Sequence, residues 1–276
     1  MPENNNVMQH SSSETHCLIS PNTVIDSQAT IGKNVSIGAF TVIEADVVVG
    51  EGTQIGTHVT LLNGTRIGSN CQVLAGVVLA GMPQDFKYNG GETLVEIGNN
   101  TILREYVTIH RGTQTRGKTS VGSNSLIMAN THVGHDCMLG NNCIVGYSVG
   151  IAGETVIEDW ANISSLIGIH QCSKIGAYAM VGGLTKVVKD VPPYIKTGRD
   201  PLIYAGVNAV LLKRCGFSRE KIDEIQDIYR VLFERGKNTA VSLECIESNF
   251  NQSLERDSIL RFVRNSKRGI VKGILK

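Results

Sequence analysis

The stretch IGKNVSIGAFTVIEADVVVGEGTQIGTHVTLLNGTRIGSNCQVL, residues 31–74, places an aliphatic residue at every sixth position. Later hexapeptides such as IGNNTI (97–102) and IGAYAM (175–180) continue the pattern. From Ile19 to Val187, 26 of the 29 positions in this register are Ile, Leu or Val. A hydrophobic content of 41% would give about 12 hydrophobic residues there, so composition alone does not produce the period.

A six-residue period excludes an amphipathic helix, whose apolar face recurs at about 3.6 residues. It fits a short strand followed by a corner, with the aliphatic residue inside and a small residue at the bend. Three such units close a triangular coil of about 18 residues, and coils stack through strand hydrogen bonds about 4.8 Å apart. The sequence therefore predicts a mainly-β protein built on a parallel β-helix of about nine coils.

Three positions break the register, and they fall in two segments. Asp85 and Gly91 lie within residues 80–96, and Thr115 lies within residues 113–120. The period resumes in phase after each segment, so we predict that both are loops protruding from a continuous prism. Protruding loops on a rigid scaffold commonly carry function.

The repeat has a segment of different character on each side. Residues 1–17 are polar, have no apolar signal-peptide core and are predicted to be a disordered tail. The β-helix is predicted to span residues 18–195, because the prolines of DVPPY (190–194) are expected to stop strand pairing. Residues 196–276 are predicted to form a C-terminal helical domain. Its expected helices cover Pro201–Arg214, the segment from an N-cap at Ser218 to a stop at Gly236, Val241–Phe250 and Leu254–Arg264.

Charged residues are unevenly distributed although the net charge is only +1. Residues 1–171 carry 7 Lys/Arg and 14 Asp/Glu, whereas residues 172–276 carry 19 Lys/Arg and 11 Asp/Glu. A basic C-terminal third indicates either an anionic ligand or acidic partner, or simply solvated helix faces.

The seven cysteines are odd in number and show no C-x-x-C spacing, which is typical of reduced thiols in a cytoplasmic protein. We interpret Cys137 and Cys143 as small apolar core residues. No apolar run is long enough for a membrane-spanning segment, so none is expected.

The segment NTHVGHDCMLG (130–140) carries the candidate chemistry. His135 follows the inward position Val133 by two positions and should lie at a corner, with Asp136 beside it. A neutral imidazole suits general-base catalysis near pH 7, and a neighbouring carboxylate can fix its tautomer. The same pair is also compatible with an ordinary surface hydrogen bond.

The stacking of coils predicts which residues share this corner. Gly153 lies 18 residues, or one full coil, after His135, and Gln171 lies another 18 residues after Gly153. A Gly beside the base allows close approach of a substrate, and its N–H can stabilise an oxyanion. His132 and His170 flank the column.

Several motifs resemble the UDP-N-acetylglucosamine O-acyltransferase family. They include PQDFKY (83–88), THVGHDC (131–137), IHQ (169–171), DVPPY (190–194) and LKRCGFSRE (212–220), and the resemblance extends from about residue 19 to residue 270. It implies a left-handed parallel β-helix, whereas the general rule for parallel crossovers would give a right-handed one.

The resemblance also implies a reaction. His135 would deprotonate the 3-hydroxyl of UDP-N-acetylglucosamine, Asp136 would orient His135, and the Gly153 amide would polarise the thioester carbonyl of an acyl carrier protein. The hydroxyl attacks directly, so no metal or other cofactor is expected. Gly183 falls where the family limits acyl length, and a Gly there implies a longer (R)-3-hydroxyacyl chain. The residues expected to bind substrate are Asp85, Lys87, His132, His170, Gln171, Asn208 and Arg214.

Members of the family are homotrimers that act in the cytoplasm at the first step of lipid A biosynthesis, so we expect the same here, with no nucleic-acid partner. Two positions depart from the family pattern. Glu154 stands where a His is usual, and Cys215 stands where a second Arg is usual.

Other functions remain compatible with the residues. A 3-amino UDP-sugar could be the acceptor, or the chain could resemble the sister N-acyltransferase, although that family has a further N-terminal domain. A zinc-dependent γ-type carbonic anhydrase would use His132, His135 and His170. A non-catalytic scaffold would explain the repeat alone.

Overall fold

The computed structural model describes residues 18–234 and 238–273, and these form three sheets followed by helices. The predicted tail and the helix stop at Gly236 lie outside the described residues.

Each sheet runs the length of the prism. Sheet 1 consists of Leu18–Ile19, Ser36–Ile37, Gln54–Ile55, Gln72–Val73, Ile102–Leu103, Leu126–Ile127, Ile144–Val145, Asn162–Ile163, Met180–Val181, Ile195–Gly198 and Ile203–Val207. Sheet 2 consists of Val24–Ile25, Val42–Ile43, Thr60–Leu61, Val78–Gly81, Thr108–His110, His132–Val133, Gly150–Ile151, Gly168–Ile169 and Lys186–Val187. Sheet 3 consists of Thr30–Ile31, Val47–Val49, Thr65–Ile67, Leu94–Ile97, Lys118–Val121, Met138–Leu139, Val156–Ile157 and Lys174–Ile175.

The aliphatic residues of the six-residue register form the core of the prism, as predicted. From Ile37 to Val187, every Ile, Leu or Val in that register is at most 4% exposed. Ile19 in the first coil is 45% exposed, because no earlier coil of the described chain stacks on it. Burial on both sides of each coil is therefore what stabilises the repeat.

A second inward position, two residues before the aliphatic one, holds small side chains. Thr41 and Thr53 are buried there, and their hydroxyls donate to carbonyls of the next coil at 2.8 Å. Cys137 and Cys143 occupy the same position and are fully buried, which confirms their interpretation as core residues. Burial raises the pKa of each of these two thiols to about 12.

The strand register shows how the two irregular segments keep the coil in phase. Successive strands of a sheet normally pair three hexapeptides apart, as Gln54 does with Gln72. Gln72 pairs with Ile102, five hexapeptides further along the chain, and Ile102 pairs with Leu126, four hexapeptides further along. The first insertion is therefore two hexapeptides long and the second is one, and the prism continues past both.

Strand pairing does not stop at DVPPY, so that prediction was wrong. Lys196 pairs with Met180 beyond the prolines, because Pro192 and Pro193 lie in a corner between strands and not within a strand. The predicted helix Pro201–Arg214 was also wrong in its first half. Ile203–Val207 is a strand antiparallel to Ile195–Gly198, and Gly206 has a φ of 109°, which a helix cannot accommodate.

In the described residues, four helices follow: α1 (Ala209–Arg214), α2 (Arg219–Leu232), α3 (Thr239–Asn249) and α4 (Leu254–Arg264). The predicted N-cap is confirmed, because the Ser218 hydroxyl accepts a hydrogen bond from the Lys221 N–H at 3.2 Å. Helix α2 docks on the end of the prism through Tyr229, whose buried hydroxyl donates to the Pro193 carbonyl at 2.6 Å. None of the helices in the described residues has the length and apolar content needed to cross a bilayer.

Candidate active site

A pocket of about 350 Å³ opens along sheet 2 and the corner that follows it. Stacked coils bring its residues together although they come from segments far apart in sequence. Four of the predicted site residues line it: His132, His135, Gly153 and Gln171. The remaining lining residues are Gln84, His110, Gly134, Gly150, Ile151 and Ala152.

His135 and Asp136 form a buried pair at this corner. The Nδ1 atom of His135 lies 2.8 Å from Oδ2 of Asp136. His135 is 7% exposed and Asp136 is fully buried. This arrangement excludes the ordinary surface hydrogen bond that the sequence left open, because both partners are withdrawn from solvent.

The second insertion supplies the other partners of Asp136. Thr113 donates to Oδ1 from its backbone N–H at 3.0 Å and to Oδ2 from its hydroxyl at 2.7 Å. Arg116 donates its backbone N–H to Oδ1 at 3.2 Å, and the Asp136 N–H donates to the Thr119 hydroxyl at 2.8 Å. The insertion therefore encloses the carboxylate with hydrogen-bond donors.

These contacts determine the charge of Asp136 and the tautomer of His135. Burial by itself would raise the pKa of Asp136, but the hydrogen bonds from His135 and Thr113 outweigh it and lower that pKa below its ordinary value. An ionised carboxylate can only accept, so the Nδ1 of His135 carries a proton. The Nε2 of the neutral ring then has a free lone pair.

Gly153 lies directly against the His135 imidazole. A Cβ at Gly153 would come within 2.6 Å of Cε1 and would overlap Nε2, so a larger residue could not take this position without moving the ring. Within the described chain, the Gly153 N–H donates to no protein acceptor, which leaves it available to a ligand.

Two further histidines line the pocket beside His135. His110 and His132 pack edge to face with ring centroids 4.7 Å apart, and His132 Nδ1 lies 2.8 Å from the Thr108 hydroxyl. Burial, followed by the proximity of His132 and His135, lowers the pKa of His110 to about 4. Burial also lowers the pKa of His132. Both rings are therefore uncharged near pH 7.

His110, Thr113 and Arg116 were missed from the sequence, although a signal was present for His110. The second insertion adds one hexapeptide to the coil at this point, so Thr108 pairs with His132. Counting that insertion would have placed His110 beside Gly134, next to the corner that holds His135.

The other predicted substrate residues lie outside the pocket lining of this single chain. Asp85 and Lys87 form a turn in the first insertion, where Asp85 Oδ1 accepts from the Lys87 N–H at 2.9 Å. His170 is exposed, and its Nδ1 lies 3.0 Å from the carbonyl of Gln171.

The remaining three candidates are also separate from the pocket lining. Asn208 is buried, and its side-chain amide donates to the Tyr178 carbonyl at 2.9 Å. Arg214 is exposed in the last turn of α1. Gly183 is exposed, and a Cβ there would meet the Ser165 carbonyl oxygen at 3.1 Å. Across residues 18–234 and 238–273, no group of three or more His, Cys, Asp or Glu is arranged to hold a metal ion.

Comparisons with known proteins show the family to which the chain belongs. A family model described as UDP N-acetylglucosamine O-acyltransferase, domain 2, matches residues 190–271, and the bacterial transferase hexapeptide model matches residues 46–81 and 118–153. An acyl-[acyl-carrier-protein]–UDP-N-acetylglucosamine O-acyltransferase of Nautilia profundicola is 40% identical over 195 residues, covering 70% of this chain and 74% of the relative. The chain belongs to the UDP-N-acetylglucosamine O-acyltransferase family.

Solved structures of this family extend the agreement to nearly the whole chain. The UDP-N-acetylglucosamine acyltransferase of Bacteroides fragilis has a TM-score of 0.90 and 43% identity, covering 92% of this chain and all of that one. The enzyme of Francisella novicida has a TM-score of 0.89 and 35% identity, covering 92% of this chain and 94% of that one. The fold class is confirmed as a left-handed parallel β-helix with C-terminal helices.

Proposed function

We propose that this protein transfers an (R)-3-hydroxyacyl chain from acyl carrier protein to the 3-hydroxyl of UDP-N-acetylglucosamine, the first step of lipid A synthesis. The observation that carries the proposal is the His135–Asp136 pair packed against Gly153 in a pocket of this family's fold. Relatives are named for the same carrier-bound donor and the same nucleotide-sugar acceptor.

The arrangement supports direct attack with His135 as general base. The sugar hydroxyl gives its proton to Nε2 of His135 while its oxygen bonds to the thioester carbonyl carbon. The Asp136 carboxylate, hydrogen-bonded to Nδ1 at 2.8 Å, stabilises the imidazolium that forms. The carbon–sulfur bond then breaks, and the imidazolium returns the proton to the departing thiolate, giving the ester and the free carrier thiol.

Gly153 is proposed to stabilise the oxyanion of that intermediate. Its N–H has no protein acceptor among the described residues, and its Cα lies against the base, so an oxyanion bound there sits next to the reacting hydroxyl. Removing one such donor typically costs about 10²–10³-fold in turnover.

Substrate contacts are proposed for residues around and beyond the pocket. His132 and Gln171 line it directly, which supports contacts with the sugar. Asp85 and Lys87 lie on the insertion whose Gln84 lines the pocket, and this supports a role in nucleotide-sugar binding. Three residues farther from the pocket, His170, Asn208 and Arg214, are also proposed to bind substrate. Gly183 is proposed to set the length of the acyl chain that the enzyme accepts.

We also propose a homotrimer, because a single chain exposes an apolar ridge next to the pocket. The ridge consists of Tyr106, Tyr147, Leu166 and Leu184, which are 63%, 49%, 44% and 77% exposed. It runs along the corner before sheet 2, whereas the pocket lies along sheet 2 and the corner after it. A copy of this chain packed on the ridge would therefore border the pocket.

The cytoplasm is the proposed location, supported by six free cysteines among the described residues. Exposed basic side chains near the end of the prism, such as Lys186 and Lys213, support an acidic carrier protein as donor.

The test is acyl transfer from 3-hydroxyacyl carrier proteins of several chain lengths to UDP-N-acetylglucosamine, followed by mass spectrometry of the nucleotide sugar. The proposal predicts an ester with one acyl group. The matching 3-amino UDP-sugar is assayed in parallel, and product from that acceptor alone would replace the hydroxyl acceptor with an amine. A folded protein that acylates neither acceptor would refute the proposal.

A further inference from the structure

We propose that Arg116 is a positioning residue, which holds the base His135 at a fixed distance from the Gly153 amide. It does so by binding the backbone carbonyls of the next residues, Asp136 and Glu154. The proposal rests on the proposed function for the identity of the base and the oxyanion donor. It gives the Arg116 side chain a role in the proposed reaction, in addition to the contact that its backbone N–H makes with the Asp136 carboxylate.

The guanidinium of Arg116 bridges two successive coils at the catalytic corner. Its Nη1 donates to the Asp136 carbonyl at 2.6 Å, and its Nη2 lies 3.4 Å from the Glu154 carbonyl. Asp136 directly follows His135, and Glu154 directly follows Gly153. One side chain therefore contacts the backbone immediately after the base and immediately after the proposed oxyanion donor.

The two carbonyls belong to equivalent corner residues of successive coils. Asp136 and Glu154 have φ angles of 59° and 60°, the left-handed conformation that recurs at the corners of most coils, including Asn142 and Cys172. The coils are linked there by the Glu154 N–H, which donates to the His135 carbonyl at 2.9 Å. Arg116 adds a second link between the same two corners.

Arginine suits this bridge because its planar guanidinium presents several donors in a fixed geometry. A lysine has a single ammonium group and could reach one carbonyl but not hold both in the same way. Arg116 is itself exposed, so its loss should affect the catalytic corner far more than the stability of the prism.

The experiment compares Arg116→Met and Arg116→Lys with a matched control, Arg230→Met. Arg230 is an exposed α2 residue whose side chain pairs with Asp227, away from the pocket. For Arg116→Met we expect kcat to fall by about 10-fold with KM for both substrates within about 2-fold, because misplacement of reacting groups acts on turnover. Arg116→Lys should recover part of the loss, and Arg230→Met should match the wild type.

Two readouts separate positioning from a general loss of structure. Thermal unfolding of Arg116→Met should stay within about 2 °C of wild type, as expected for an exposed side chain. In a double-mutant cycle with Gly153→Ala, the two losses in kcat should be less than multiplicative, because both changes displace His135 relative to residue 153.

The proposal is overturned if kcat of Arg116→Met stays within about 2-fold of wild type, or if its loss is matched by Arg230→Met. It is also overturned if unfolding temperature falls in proportion to kcat. Crystal structures of Arg116→Met and of the control Arg230→Met test the positioning role even if no acyl transfer is detected in the wild type. A His135–Gly153 spacing unchanged in Arg116→Met would then refute the proposal, and a spacing altered only in that variant would support it.

Discussion

Replacement of Gly153 by Ala tests whether the reaction depends on the close packing of His135 against this residue. The added Cβ would lie 2.6 Å from Cε1 and 3.0 Å from Cδ2 of His135, and nearer still to Nε2. Ordinary carbon contacts need about 3.5 Å, so the ring must retreat by about 1 Å. It cannot do so freely, because Asp136 holds Nδ1 at 2.8 Å and is itself held by Thr113.

A displacement of about 1 Å at reacting groups can cost about 10²-fold in rate, equivalent to about 2.7 kcal/mol of transition-state stabilisation. Overpacking a well-packed site also costs about 1–3 kcal/mol of folding free energy. We therefore expect kcat of Gly153→Ala to fall by about 100-fold while the protein remains folded at 25 °C.

The assay is steady-state acyl transfer with both substrates varied, together with urea unfolding. Gly198→Ala is the control, because a Cβ at Gly198 would meet nothing within 4 Å. Wild-type turnover in Gly153→Ala would refute the reasoning, since His135 would then tolerate the displacement that the geometry requires.

Three further predictions follow from the structure. His110 has a folded-state pKa of about 4 against an ordinary value of 6.5, so on acidification the unfolded chain takes up this proton before the folded chain does. The free energy of unfolding should therefore fall as the pH drops from about 6.5 to about 4. Urea unfolding of His110→Gln should show a smaller fall in that free energy over the same range. Tyr229→Phe should destabilise the protein by about 1–3 kcal/mol in the same assay, because it leaves the buried Pro193 carbonyl without its donor. Gly183→Met should reduce kcat/KM for long acyl donors by about 10-fold or more while sparing short ones, and equal losses for all donors would remove Gly183 from length selection.

The sequence was sufficient for the prism because its repeat is local. Each hexapeptide places one aliphatic side chain inside, and residues such as Val133 and Ile151 are fully buried as the period requires. The period fails beyond DVPPY, where tertiary pairing decides the structure. Ile203–Val207 reads as part of a helix in isolation, but it forms a strand because Ile195–Gly198 offers a partner.

The candidate site was predictable to the extent that it follows the regular coil. His135, Gly153 and Gln171 are spaced by whole coils, and the structure places all three around one pocket. Thr113 and Arg116 contact Asp136 from outside that spacing, because the second insertion lies between coils. A loop's path is set by packing and not by the repeat, so the sequence did not show that it returns to the carboxylate.

The central claim is that His135 is the general base for acyl transfer. The most direct test is kcat/KM for acyl transfer from 3-hydroxyacyl carrier protein to UDP-N-acetylglucosamine, with the wild type beside His135→Ala. We predict that the substitution leaves the protein folded and lowers kcat/KM by about 10²–10⁴-fold, the usual contribution of a general base. A His135→Ala enzyme that retains kcat/KM within about 10-fold of wild type would contradict the account.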